Sequence, residues 1–150
     1  MPQLSLHSPI GDLTVSEEDG VIVSLDWGWG MEQTKTPLLR RACDQLHDYF
    51  DGKRTTFDLP LDAHGTAFQK RVWNAMLAIP FGAVKSYGAI AADLNSAARA
   101  VGMACGANPI PILIPCHRVV AANGLGGYSG EGGLGTKRLL LDHENTASKQ

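Results

Sequence analysis

The feature that most constrains this chain is a change of hydrophobic period near residue 63. Residues 3–26 alternate apolar and polar side chains, with Leu4 and Leu6, then Leu13 and Val15, then Val21, Val23 and Leu25 in phase. A period of two belongs to strands buried on one face. Gly11-Asp12 and Asp19-Gly20 punctuate the run, so it predicts a small antiparallel sheet with tight turns. Residues 27–35 read as a loop. Leu38, Leu39, Ala42, Leu46 and Phe50 then recur at helical spacing, with Pro37 fit for the first turn and Asp51-Gly52 as the stop. Residues 53–63 read as a linker.

Beyond it the period is helical. Thr66 is a natural N-cap for a helix to about Ile79, with Phe68, Val72, Met76 and Ile79 on one face and Pro80 as terminator. Residues 87–94 and 96–104 form two short helical candidates parted only by Asn95, the mark of a helix-turn-helix. Asn108-Pro-Ile-Pro cannot continue a helix. Ile112-Leu-Ile114 reads as buried, residues 118–124 as a strand and turn, and residues 135–143 as a closing helix with Leu139, Leu140 and Leu141 partly inward. The expectation is an α+β protein. Residues 1–63 form an antiparallel sheet plus a helix as a supporting domain, and residues 64–150 a mainly helical domain that carries the helix-turn-helix and the chemistry.

Composition narrows the class. Apolar residues make up 44 % and charged residues 19 % of 150, ordinary for a globular protein. No apolar run reaches the roughly 20 residues of a membrane span, and Met1-Pro-Gln-Leu-Ser lacks the regions of a signal peptide. A cytoplasmic protein without membrane association is expected. Net charge is −2, but it divides unevenly. Residues 1–63 carry 5 Lys/Arg against 11 Asp/Glu, and residues 64–150 carry 8 against 4. The second part is the one suited to phosphates. Cys43, Cys105 and Cys116 are an odd set with no CxxC spacing, so neither a disulfide framework nor a metal site is expected.

The chemistry concentrates in Pro115-Cys116-His117-Arg118-Val119. A free thiol is only a few per cent ionised at neutral pH, so a nucleophilic cysteine needs a base or a positive field. His117 can be that base through a turn or a bridging water. A histidine base is itself steadied by a carboxylate, and Glu144 in the closing helix is the candidate. The second short helix is rich in small residues, Ala97, Ala98, Ala100, Gly102 and Ala104, with Arg99 as its one long polar side chain. Such a helix can pack tightly inside the protein. It can also enter a narrow DNA groove, with arginine replacing a base in the stack. A groove-reading helix beside a nucleophilic cysteine suits chemistry on a base that must leave the duplex.

These residues carry a resemblance. Pro115-Cys-His-Arg-Val119 resembles the active-site signature of the O6-alkylguanine-DNA alkyltransferases (methylated-DNA–protein-cysteine methyltransferases). Gly65-Thr-Ala-Phe-Gln69, Ile79-Pro-Phe-Gly82, Ser86-Tyr-Gly88, Ala97-Ala-Arg-Ala-Val-Gly102, Asn108-Pro, Gly127-Tyr-Ser-Gly130 and His143-Glu144 support it in order. The resemblance implies repair of double-stranded DNA by one irreversible transfer of a methyl or alkyl group from O6-alkylguanine to Cys116, with O4-alkylthymine left open. His117 is implied as a water-mediated base and Glu144 as the end of the relay. Asn108 would brace the hinge before the active-site segment, and Arg99 would fill the gap left by the flipped nucleotide. Tyr87 would rotate the phosphate and donate to guanine N3, and Lys137 would support that proton transfer. The backbone of Cys116 and Val119 would read the exocyclic amine. Ser129 would donate its N–H to O6, and Tyr128 would wall the pocket. Ser86, Ala98 and Arg118 fall in the same motifs and are expected among the DNA contacts. A thioether product resists hydrolysis, so each molecule acts once and needs no cofactor. A monomer is expected, with clustering along DNA left open.

Residues 129–136 form a longer stretch than in relatives that run directly from Tyr-Ser-Gly to the closing helix. The alternative reading is an alkyltransferase-like protein that recognises lesions without reacting. Those proteins replace the acceptor cysteine, which Cys116 argues against. The alkyltransferase reading requires the Cys116 sulfur to ionise within a pocket that an everted base can enter.

Overall fold

The computed structural model describes residues 1–128 and 132–148. The chain divides into two compact units, Met1–His64 and Gly65–Gln150, and the architecture is α+β.

In the first unit β1 (Gln3–Leu6), β2 (Leu13–Glu18) and β3 (Val21–Trp27) form an antiparallel sheet in that order. Asp19 and Gly20 link β2 to β3 with left-handed φ of 52° and 80°, the two-residue turn whose twist suits a hairpin and which Asp-Gly satisfies. A register shift at Ser16/Glu17 bends the pair. Helix α1 (Pro37–Phe50) starts where Thr36 accepts a hydrogen bond from the Leu39 N–H and Pro37 occupies the first turn. Its buried side chains include Leu39, Ala42, Leu46 and Tyr49. Tyr49 rather than Phe50 thus provides the aromatic core contact. Residues 53–63 are more than a linker. The Gln45 amide bonds both the N–H and the C=O of Asp58. Ile22 donates to Pro60 O at 2.8 Å and accepts from Asp62 N at 2.9 Å, so this segment is stitched to the edge of β3.

In the second unit Thr66 and Gln69 close a reciprocal capping box on α2 (Ala67–Leu77). The short strands β4 (Lys85–Ser86) and β5 (Val119–Val120) pair in parallel. Helix α3 (Tyr87–Asp93) is capped by Ser86. Asn95 makes the joint at φ 53°, and α4 (Ala98–Gly106) begins two residues later than its small residues predict, with no side-chain cap at Ala97. The buried Trp73 of α2 donates Nε1–H to Ala104 O at 2.8 Å, pinning α4. The segment after α4 buries Ile110, Ile112, Leu113 and Ile114. It leads to a single 3-10 turn, Cys116–Arg118, and then β5. The closing helix α5 (Leu134–Ser148) runs beyond residue 143. Of Leu139, Leu140 and Leu141, Leu140 is buried and Leu139 is exposed. Among the described residues no helix is long and apolar enough to cross a membrane.

Candidate active site

Cys116 owes its position to a taut approach. Ile112 holds φ at 74°, unusual for a β-branched residue and maintained only because its surroundings require it. Asn108 provides part of that constraint: its Nδ2–H donates to Ile114 O and its Oδ1 accepts from Ile110 N–H, both at 2.9 Å. Cys116 N–H then donates to Ile114 O and Arg118 N–H to Pro115 O, closing the 3-10 turn. The thiol is 6 % exposed and lines a cavity of about 570 Å³.

The residue after it faces a buried ion cluster. His117 Nε2 lies 2.6 Å from Glu144 Oε2, and both side chains are almost wholly buried. Arg118 clamps the same carboxylate, Nε to Oε1 at 2.8 Å and Nη2 to Oε2 at 3.0 Å, while its Nη1 donates to Ile79 O. Burial raises the Glu144 carboxyl, but the hydrogen bonds and charges of His117 and Arg118 outweigh it and hold the group at about 2. Burial pushes His117 below its ordinary value, against the pull of Glu144. The ring is therefore neutral, with Nε2–H donated to the carboxylate and Nδ1 left as the acceptor. Nδ1 is buried and has no hydrogen-bond partner among the described residues. It is free to accept a proton.

Burial also raises the Cys116 thiol, with Asn108, Lys137 and nearby backbone groups acting in the opposite direction. The sulfur is protonated at rest.

The cavity wall opposite is helical. Ala98, Arg99, Gly102, Cys105 and Gly106 of α4 line it, together with Tyr87, Gly127 and Tyr128. Lys137 is fully buried. Its ammonium donates to Val119 O at 2.6 Å and Gly127 O at 2.9 Å, and reaches Tyr87 Oη at 3.5 Å. Burial lowers Lys137, while Cys116 and Cys105 hold it up. Burial raises Tyr87, so its hydroxyl keeps the proton. Gly126, at φ 73°, backs the Tyr87 ring so closely that a Cβ there would lie 2.6 Å from Tyr87 Cε2.

Cys116, His117, Glu144, Asn108, Lys137, Tyr87 and Tyr128 thus gather about one cavity and its supporting turn, with Arg99 and Ala98 on its rim. Ser86 caps α3 by accepting from Ala89 N–H. Val119 is buried and its carbonyl accepts from Lys137. Arg118 corrects its expected role as a DNA contact. It is buried, and its guanidinium is spent on Glu144 and Ile79, because a carboxylate at 2.8 Å captures the fork more strongly than solvent. Ser129 lies outside the described residues. Cys105 and Gly126 were not anticipated as parts of the site. Cys105 reads as one more small helical residue, although its spacing of seven from Ala98 does put it on the same helix face. Among the described residues no group of three or more His, Cys, Asp or Glu could hold a metal ion.

Comparison with known proteins agrees along the whole chain. Residues 4–63 match the ribonuclease-like domain of 6-O-methylguanine DNA methyltransferase, and residues 67–146 match its DNA binding domain. The chain is 45 % identical to a methylated-DNA–protein-cysteine methyltransferase of Mycobacterium tuberculosis, over 95 % of this chain and 91 % of that one. It is 42 % identical to the constitutive enzyme of that name from Bacillus subtilis, over 96 % and 95 %. A solved structure of Mycobacterium tuberculosis OGT in complex with DNA is similar at TM-score 0.88 and 44 % identity, covering 98 % of this chain and 94 % of that one.

Proposed function

Because the chain belongs to the 6-O-methylguanine DNA methyltransferase family, whose members repair DNA by alkyl transfer to a cysteine of the protein, we propose that Cys116 is the acceptor and that O6-alkylguanine in double-stranded DNA is the substrate. The observation that carries this reading is the buried, unpartnered Nδ1 of His117, backed by Glu144, in the residue next to a cavity-lining thiol. As the reaction begins, the Cys116 S–H proton passes to Nδ1 through a water, and the imidazolium is stabilised by Glu144. The sulfur bonds to the alkyl carbon, the carbon–O6 bond breaks, and its electron pair stays on the guanine. Tyr87 donates its hydroxyl proton to N3 and is resupplied by Lys137, which neutralises the leaving base. The product is a thioether, so the protein acts once.

The division of labour follows. Residues 64–150 bind DNA and react, and residues 1–63 support them. The target nucleotide leaves the stack to enter the cavity, a route the small residues of α4 leave open, and Arg99 occupies the gap. The backbone of Cys116 and Val119 reads the exocyclic amine, and Tyr128 walls the base. The protein works as a monomer in the cytoplasm, whose reducing conditions keep Cys116 a thiol.

Incubation with duplex DNA containing O6-methylguanine, followed by intact mass measurement, tests this. One equivalent should gain the mass of one CH2, mapped to Cys116, and Cys116→Ser should still bind DNA but gain nothing. Tight binding with unchanged mass would instead make the protein a lesion reader.

A further inference from the structure

Met103 is the most exposed large apolar side chain of the second unit, at 71 %. A single exposed methionine on a protein surface needs no explanation by itself. This one stands on α4, whose side chains around it are mostly Ala and Gly, four residues after Arg99. At 3.6 residues per turn it lies about 40° round the helix from Arg99 and about 6 Å further along the axis. Ala98, Gly102, Cys105 and Gly106 line the cavity on one side of Arg99, and the same helical geometry sets Met103 on the other. Arg99 and Met103 are therefore the two side chains that project furthest from this helix, one at the rim of the cavity and one just outside it.

We propose that Met103 is an apolar wedge that enters the minor groove beside Arg99 and presses on a base step flanking the extruded nucleotide. The inference rests on the reading that α4 enters the duplex. Proteins that kink DNA from the minor groove insert apolar side chains, methionine among them, between base steps. An unbranched thioether adapts to an irregular stack, and neighbours without long side chains leave Met103 free to advance. For a helix lying along the groove, about 6 Å is close to two base steps of about 3.4 Å. The contact falls on the flank of the lesion and not on the guanine in the cavity.

The test compares Met103→Ala and Arg99→Ala under single-turnover conditions. Substrates are a duplex with 2-aminopurine beside O6-methylguanine, and the free base O6-methylguanine. Met103→Ala should slow duplex repair about tenfold, the scale of losing much of a buried methionine contact, and lower the 2-aminopurine emission that reports unstacking. Its rate with the free base should match the wild type, because no duplex is engaged, and Met103→Leu should restore most of the duplex rate. Wild-type duplex repair by Met103→Ala with slow repair by Arg99→Ala overturns the wedge and spares the groove-entering helix. Wild-type repair by both variants overturns both. An equal loss on duplex and free base also overturns the wedge, since Met103 would then act through the cavity or the fold.

Discussion

In the first unit the buried polar side chains are mainly hydroxyls and amides that answer one another or the backbone. Ser5 and Thr14 share a hydrogen bond at 2.8 Å, both accept from Gly30 N–H, and Gln45 holds Asp58. Glu17, at the bulge, is the one buried charged residue among that unit's described residues. The second unit buries Glu144, Arg118 and Lys137, and His117 against Glu144. Neutral hydrogen bonds give about 0.5–1.5 kcal/mol each and tie segments together. Buried ions carry a desolvation penalty of several kcal/mol that only good geometry offsets. Hydrophobic packing would serve stability as well, so such a cluster beside a thiol fits the chemistry proposed for it. The contrast separates a scaffold from a reactive site.

Removing one member of the cluster should produce the largest effect. Glu144→Gln leaves Arg118 buried without its counter-ion and His117 without the carboxylate that fixes its tautomer. Stability measured by urea denaturation should fall by about 3–5 kcal/mol, and alkyl transfer should be lost in the protein that remains folded. The double variant Glu144→Gln with Arg118→Met should regain much of the stability and none of the transfer. A single variant as stable as the wild type would show that the cluster is not a buried ion network.

Acid should attack the second unit first. Glu144 sits at about 2 against an ordinary 4.5, so the unfolded chain takes up a proton there before the folded one does. The stability Glu144 contributes is complete above about 4.5 and is lost as pH falls toward 2. His117 lies below its ordinary 6.5, so here too the unfolded state binds the proton first, and stability begins to fall as pH drops below 6.5. The two groups add in sign. With neutral His117 as the proposed base, the transfer rate should stay level through neutral pH and fall only below the ordinary histidine range. A rate that halves at 6.5 would show an imidazole exposed to solvent.

Much of this was legible in the residues. The alternation of residues 3–26, the Asp19-Gly20 turn, the Thr66 cap and the Asn95 joint each carry a local rule, and local rules can be read from one segment. Cys116, His117 and Glu144 could be singled out in the sequence as a possible thiol, base and carboxylate, and the structure brings His117 and Glu144 into contact beside the thiol. What escaped depends on partners far away in sequence. The inward turn of Arg118 is decided by a carboxylate 26 residues later, while beside Cys-His it reads as a cation for DNA. The stitching of residues 53–63 runs through Gln45 and the backbone, which leave no hydrophobic period. The role of Gly126 exists only because Tyr87, 39 residues earlier, packs on it. The positive φ of Ile112 leaves no mark in a run of apolar residues.

The mildest change sharpens the contrast from the other side. Gln45→Ala removes both bonds to Asp58 and frees the edge segment that Ile22 holds. It should cost about 1–3 kcal/mol, the range for a buried backbone group left without its partner. Amide exchange should speed up at Asp58 and Asp62. The rate of transfer to Cys116 should not change while the protein is folded, because Gln45 belongs to the neutral stitching of the scaffold. A slower transfer at full folding would mean that order in residues 53–63 reaches the thiol. The first unit would then be part of the reactive machinery, and the division between neutral support and charged chemistry would no longer hold.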